Sequence, residues 1–87
     1  MLHRLKILPE YFEKVLSGEK TFEVRYNDRD FNQGDTVVLM EYNSDENSFS
    51  GKEKEMLIGY VLSDFKGLQE GWVVFSIIPK IDNNPNT

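Results

Sequence analysis

The sequence predicts a mainly β domain, with one or two short helices, in which about five strands form a small barrel. Five short segments read as strands: residues 3–7, 20–26, 36–42, 55–62 and 72–78. The last two are apolar on both faces, which in so short a chain indicates a closed or nearly closed barrel. One amphipathic helix follows the first strand and is expected to cover an edge or plug an end of the barrel.

Length and composition favour one domain over residues 1–81, with residues 82–87 as a disordered, Asn- and Pro-rich tail. The chain has no cysteine and one histidine, so neither a disulfide framework nor a metal site is predicted. No cofactor is predicted either. No stretch approaches the roughly 18–20 apolar residues of a membrane span, and no signal peptide is recognisable. A cytoplasmic location is therefore expected.

Charge is distributed unevenly along the chain. The net charge is −5, but residues 1–29 carry six basic and five acidic side chains, whereas residues 30–87 carry four basic and ten acidic ones. All three arginines lie in the first third, and arginine binds phosphates and carboxylates with a planar fork of donors. An anion site, if present, is expected to be built from this part of the chain, and a non-specific nucleic-acid coat is disfavoured.

The first strand and the helix follow simple patterns. His3 shares a core-facing row with Leu5 and Ile7 and is expected to be partly buried with one backbone partner. Pro9 suits the first helical position, and Gly18 suits the residue that ends the helix in a left-handed conformation.

The second strand concentrates charge of both signs. Its alternation places Phe22, Val24 and Tyr26 on one face, predicted to enter the core, and puts Glu23 and Arg25 on the opposite face. Lys20 precedes them and Arg29 follows. A solvated cross-strand ion pair is the simpler interpretation of this pattern, and a site built from the four charged groups is the alternative.

The remaining chain is predicted as strands joined by polar connections. Residues 43–54 read as an exposed hairpin loop, and residues 64–71 as a connector that tucks Phe65 and Leu68 into the core. Gly59 indicates a bulge or a close backbone approach. Glu41 ends an apolar row and is expected either to emerge at a rim or to be buried and paired.

Several of these residues together resemble the signature of the ASCH domain, a branch of the PUA-like superfamily. The matching elements are Gly18-x-Lys20-x-x-Glu23-x-Arg25, Gly34-Asp35, His3-x-Leu5-Lys6 and the run from Phe22 to Arg29. The resemblance extends from residue 3 to about residue 78 and is closest to a short bacterial and phage branch without an assigned function. It implies a PUA-like β-barrel, a cleft beside the helix, and binding of RNA or a modified nucleoside.

The first functional hypothesis is a module that binds RNA or a nucleoside. Cations would contact phosphate, Glu23 would accept from a base or orient Arg25, and exposed tyrosines would stack on bases. The tyrosines considered are Tyr11, Tyr26 and Tyr42, and the predicted binding residues are His3, Lys6, Lys20, Glu23, Arg25 and Arg29.

Two alternatives remain open at this stage. One is a small amidohydrolase acting on an N-acylated cytidine, with Lys20 and Glu23 as an acid–base pair and Glu41 as a second carboxylate. In such ASCH enzymes the lysine matches Lys20, but Glu23 stands where they carry a threonine, and a carboxylate cannot serve as that hydroxyl nucleophile. The other alternative is a protein-interaction module in which the motif is only structural.

Overall fold

The hydrophobic pattern of the chain folds into five strands and one helix. A computed structural model describes residues 1–80, so the predicted tail at 82–87 lies outside the described residues. The elements are β1 (Leu2–Ile7), α1 (Pro9–Leu16), β2 (Phe22–Tyr26), β3 (Thr36–Asn43), β4 (Ser48–Leu62) and β5 (Trp72–Pro79). The predicted mainly β class is confirmed, with a single short helix within the described part of the chain.

The strands form one curled half-barrel sheet in the order β1-β3-β4-β5-β2. β1 runs parallel to β3, and the other neighbours are antiparallel. The edge strands β1 and β2 are consecutive in sequence and are joined through α1. The curl brings these edges towards each other without pairing them as strands. We call the gap between them the seam.

The strand registers define a concave face, which carries the core, and a convex face. Each concave row continues from strand to strand: Leu5 opposes Leu39, Val37 opposes Met56, and Ile58 opposes Ile77. The helix adds Phe12 and Val15 to this core, both buried. The buried core cluster is Leu5, Ile7, Phe12, Val15, Phe31, Val37, Leu39, Met56, Ile58, Val73, Phe75 and Ile77.

The helix begins and ends where its sequence indicates. Pro9 occupies the first turn, where its missing N–H leaves no intrahelical hydrogen bond unmade. Gly18 follows the Ser17 cap with a φ of 81°, the left-handed conformation that glycine adopts at little cost. The N–H of Lys20 then donates to the carbonyl of Lys14 at 3.0 Å, which directs the chain into β2.

The predicted orientation of β2 is wrong. Glu23 opposes Phe75 and Arg25 opposes Val73, so both charged side chains lie on the concave face, and Glu23 is only 3% exposed. Phe22, Val24 and Tyr26 lie on the convex face and are about half-exposed. A carboxylate can occupy the buried position because Lys20 and Arg25 pair with it there.

Two connections also differ from their predictions. The expected loop at 43–54 is mostly strand, because β4 begins at Ser48 and Phe49 pairs with Tyr42 across a short turn. Both faces of this part of β4 are exposed, so its sequence is polar without the alternation of apolar residues that indicates a strand, and the sequence predicts a loop. In the connector at 64–71, Phe65 is 58% exposed instead of packed in the core, and Leu68 is half-buried.

The bulge expected at Gly59 is present. The register of β4 against β5 shifts between Ile58 and Val61. A side chain at Gly59 would meet the Ser76 hydroxyl and the Ile78 side chain, so neighbouring side chains of β5 occupy the space beside this glycine.

The orientation of β2 gives a stability prediction for two valines on neighbouring strands. Val73→Ala removes a side chain that is 2% exposed and should lower the free energy of unfolding by about 2 kcal/mol. Val24→Ala, at a 47% exposed position, should lower it by less than about 1 kcal/mol. Urea denaturation of both variants measures the difference. Equal losses would mean that Val24 packs in the core after all.

Candidate functional site

A cleft of about 980 Å³ opens along the seam between the two edge strands. β1 and the start of α1 form one side, and β2 with its following turn forms the other. The lining residues are Arg4 to Leu8, Tyr11, Lys20, Glu23 to Tyr26, Asp28, Arg29, Phe31, Met40 and Trp72. We call this space the seam cleft.

A buried carboxylate bound by two cations forms part of the seam cleft. Lys20 Nζ is paired with Glu23 Oε2. Arg25 donates to Glu23 Oε1 from Nε at 3.1 Å and from Nη2 at 2.7 Å. A charge at this depth is tolerated only when it is paired and hydrogen-bonded, and both oxygens of Glu23 meet that condition. The three side chains therefore hold one another in place, and we call them the Glu23 triad.

Cationic side chains bind backbone carbonyls along the seam. Arg25 Nη2 donates to the Lys6 carbonyl at 2.8 Å, and Arg29 Nη1 donates to the Arg4 carbonyl at 2.9 Å. Each of these bonds runs from the β2 side of the seam to the edge strand β1. Charge-assisted hydrogen bonds of this kind are stronger than neutral ones, so the arginines bridge two edges that do not pair as strands.

The turn after β2 positions Arg29. The N–H of Asn27 donates to the Gly71 carbonyl at 2.8 Å, and the Asn27 side-chain oxygen accepts from the N–H of Phe31 at 2.9 Å. Phe31 is buried in the core. The segment between Asn27 and Phe31 is thereby fixed at both ends, and Arg29 projects from it to the seam.

The seam cleft gathers positive charge in an acidic protein. Five of the ten basic residues line it, including all three arginines, against two of the fifteen acidic residues, Glu23 and Asp28. The lining is therefore +3. Since the chain as a whole is −5, the remainder carries −8. Such an arrangement attracts an anion to the cleft and repels it elsewhere on the surface.

Aromatic rings accompany these cations. Tyr26 and Trp72 meet edge to face with their centroids 6.0 Å apart, and Tyr11 stands across the cleft on the helix. The exposed fractions are 55% for Tyr26, 36% for Trp72 and 45% for Tyr11. Each ring therefore keeps surface that a planar ligand could cover.

The structure brings five of the six predicted binding residues to this cleft: Lys6, Lys20, Glu23, Arg25 and Arg29. The sixth, His3, lies outside the cleft lining. Glu41, proposed as a second carboxylate, is buried opposite Ile7 and does not line the cleft. Tyr42 also lies outside it, with its hydroxyl donating to Asn47 at 3.0 Å and its ring 4.4 Å from the Lys6 ammonium.

Sequence reasoning missed Arg4 and Trp72. Arg4 shares the alternating row of Lys6 on β1, and this pattern could have identified it. Trp72 begins β5 opposite Tyr26 in the strand register. That pairing depends on a contact distant in sequence, and no local signal indicates it.

His3 has a structural role that differs from the expected backbone contact. Its Nε2 lies 2.8 Å from Asp35 Oδ2, and its ring packs edge to face against Phe31. The His3 hydrogen bond holds the pKa of Asp35 below its usual value of 3.8, against the opposing effect of burial. The Met1 ammonium and the N–H of Asn32 also bind the Asp35 carboxylate and lower its pKa further.

Two other kinds of feature, a membrane-spanning helix and a metal site, are absent from residues 1–80. The described residues contain no helix that is long and apolar enough to cross a membrane. Nor do they bring together three or more His, Asp or Glu side chains in an arrangement that could hold a metal ion.

Comparison with known proteins assigns the chain to a family. Residues 2–77 match the family described as Domain of unknown function (DUF3850), and the chain belongs to this family. It is also 38% identical over 66 residues to a protein of Escherichia phage P2, described as an uncharacterized 12.9 kDa protein in the GpA 3′ region. The match covers 74% of this chain and 59% of the phage protein, so the chain spans less than two thirds of that relative.

The Asp35 contacts give a pH prediction. A carboxyl whose pKa is lowered on folding stabilises the protein above its unfolded pKa, and this contribution disappears as the pH falls through the folded-state value. Asp35→Asn should therefore be less stable than the unmodified chain at pH 7, by about 1–3 kcal/mol. The gap should narrow once the pH falls below 3.8.

Denaturation at a series of pH values measures this gap. Asp64→Asn, in an exposed loop, is the matched control and should follow the unmodified chain at every pH. A gap between Asp35→Asn and the unmodified chain that stays constant down to pH of about 2 would contradict the prediction.

Proposed function

We propose that this member of the DUF3850 family binds a nucleotide in the seam cleft, either as one unit of a single-stranded RNA or as the free nucleotide. The observation that carries the proposal is the gathering of five cations and three half-exposed aromatic rings in one cleft of a chain that is otherwise acidic. A nucleotide offers the matching pair of groups, an anionic phosphate and a flat base.

The phosphate is assigned to Arg29 and Arg4, which lie on opposite sides of the seam. Their side chains are 47% and 59% exposed, respectively. Arg29 uses Nη1 to bind the Arg4 carbonyl, and a guanidinium has five N–H donors, so further donors remain for a ligand. Arg25 is less available, since Glu23 holds its fork from Nε and Nη2.

The base is assigned to the aromatic side chains. Stacking on an aromatic ring contributes about 1–3 kcal/mol per base and tolerates any base, because every base has a flat face. Tyr26 and Trp72 stand on the same side of the seam as Arg29. This arrangement would allow one nucleotide to contact an arginine with its phosphate and a ring with its base.

The size and charge of the cleft favour a small footprint. Its volume lies at the upper end of the range of about 300–1,000 Å³ that is usual for small-molecule sites. The charge of −8 outside the cleft would repel a longer nucleic acid. The resemblance to the ASCH branch of the PUA-like superfamily supports a nucleotide ligand by analogy, since its motif residues Lys20, Glu23 and Arg25 lie together in the cleft.

Hydrolysis of an acylated nucleoside is the second candidate, because Lys20 and Glu23 are in direct contact in the cleft. Both oxygens of Glu23 already accept hydrogen bonds from cations, however, so neither is free to contact a reacting group. Incubation with N-acylated cytidine, followed by chromatography for the free amine, tests this candidate. Turnover that is lost in Lys20→Ala would replace the binding proposal with catalysis.

The binding proposal predicts a specific effect of Arg29. Fluorescence anisotropy with a labelled single-stranded RNA of about ten nucleotides should show that Arg29→Ala weakens binding about tenfold, the loss of one charge-assisted contact. Lys66→Ala, an exposed cation outside the cleft, is the matched control and should change the affinity less than about twofold. Competition with free nucleoside monophosphates then distinguishes RNA from a free nucleotide.

If Arg29→Ala and Lys66→Ala weaken RNA binding equally, the phosphate contact does not lie at Arg29. A complete lack of binding by the unmodified chain, to either RNA or nucleoside monophosphates at about 1 mM, would reject the nucleotide proposal.

Salt dependence provides an independent prediction. Arg4, Lys6 and Arg29 supply three positive charges and the Glu23 triad supplies a net fourth, with Asp28 as the opposing charge, so four is the upper limit of phosphate contacts. For single-stranded nucleic acid, the logarithm of the binding constant falls by about 0.7 for each neutralised phosphate when the salt concentration rises tenfold. A plot of log binding constant against log salt concentration should therefore have a slope no steeper than about −3. Titrations at several salt concentrations measure it. A slope of about −5 or steeper would require a basic surface larger than the seam cleft.

A further inference from the structure

The convex face of β2, β5 and the second half of β4 is apolar and carries no charge. Every residue that points outward within 22–26, 57–62 and 72–78 is uncharged. Six large side chains there are at least one-third exposed: Phe22, Val24, Tyr26, Tyr60, Trp72 and Ile78. We call this surface the convex apolar face.

This face has fewer charged residues than the composition of the chain would lead one to expect. Charged residues make up 29% of the sequence, so roughly three would be expected among the eleven outward positions of these strands. Contiguous apolar surface of this kind on a small protein marks an interaction site. Three of its residues, Val24, Tyr26 and Trp72, also border the seam cleft, whereas Tyr60 and Ile78 do not.

A nucleic acid is a poor occupant for the part of this face away from the seam cleft, because that part offers no cation to a phosphate. A charged protein surface is also a poor occupant, since its charges would lose water without gaining a partner. The face therefore fits a second surface that is equally uncharged and apolar.

We propose that the occupant is a second copy of this chain, bound through the same face in a two-fold symmetric dimer. The same face of another copy supplies the uncharged apolar surface that is needed. Two such faces can meet as packed sheets, the arrangement found in β-sandwiches. Contact at this face also keeps the acidic surfaces of the two copies, −8 each outside the cleft, away from the interface.

The available area is sufficient for a specific dimer. Aromatic side chains bury about 150–250 Å² each when fully covered, so the exposed parts of Phe22, Tyr26, Tyr60 and Trp72 amount to roughly 400 Å². Val24 and Ile78 bring the total to roughly 550 Å² per copy, so complete cover of both faces would bury about 1,100 Å², close to the approximate 1,000 Å² expected of a biological interface. Gly59 allows the second copy to approach the sheet closely, since it adds no side chain beside Ser76 and Ile78.

Sedimentation velocity of the full chain without nucleotide tests the dimer. A monomer has a mass of 10.2 kDa, so the unmodified protein at about 100 μM should sediment near 20 kDa and dissociate on dilution. Tyr60→Lys and Ile78→Lys each place a charge in the face and should weaken the dimer at least about tenfold. Leu16→Lys, at a similarly exposed apolar position at the end of α1, is the matched control and should leave the dimer intact.

A second measurement guards against misfolded variants. Circular dichroism should show that all three variants keep the β-rich spectrum and a cooperative melt. Trp72, the single tryptophan, lies on the face, so its emission should shift to the red on dilution of the unmodified chain and be unaffected by dilution in folded Ile78→Lys.

Three outcomes would overturn the proposal. The first is a protein that stays monomeric up to about 1 mM, which would leave the face to a different partner. The second is a dimer that persists in both folded face variants. The third is a Leu16→Lys variant whose dimer dissociates as readily as those of Tyr60→Lys and Ile78→Lys. Tyr60 and Ile78 lie outside the seam cleft, so neither variant changes the cleft lining and nucleotide binding can be measured separately. Tyr26 and Trp72 border both surfaces, so a dimer would leave Tyr11 as the ring that can stack on a base.

Discussion

The buried carboxylate of Glu23 is the constraint on which the rest of the site depends. It is 3% exposed on the concave face, so it must be paired, and Lys20 and Arg25 meet this requirement from the same strand and the residues before it. Once Glu23 fixes the Arg25 fork, Nη2 of that fork also reaches the Lys6 carbonyl on β1. One buried charge thus sets the position of two cations and links the two edges of the sheet.

This link explains how an unclosed sheet remains ordered at its edges. In a closed barrel, β1 and β2 would exchange backbone hydrogen bonds and leave no cleft between them. Here the arginines replace part of that ladder, with Arg25 and Arg29 bound to carbonyls of β1. Side chains span a wider gap than paired backbones do, so the seam stays open and its charged lining faces the solvent. The arginines that link the two edges of the sheet are therefore also part of the positively charged lining of the cleft.

The sequence predicted the elements and the composition of the cleft better than it predicted orientation. Strand alternation correctly grouped Glu23 with Arg25, because period two determines which residues share a face. It does not determine which face is inside, and the usual rule that apolar rows point inward failed for Phe22, Val24 and Tyr26. Their orientation depends on the register with β5 and on pairing of Glu23 with cations, and neither is a local property. Trp72 was missed for the same reason.

The inverted strand β2 connects the two proposed surfaces. Turning Glu23 and Arg25 inward necessarily turns Phe22, Val24 and Tyr26 outward, since successive side chains in a strand alternate. The charged cleft and the convex apolar face are thus two consequences of one strand orientation. If a second copy covers the convex apolar face, the three apolar side chains of β2 are removed from water in the dimer. Both faces of β2 are then buried, so the inward position of Glu23 agrees with an apolar row on the opposite face. The orientation of β2 would then be favoured by pairing on its concave side and by apolar burial on its convex side.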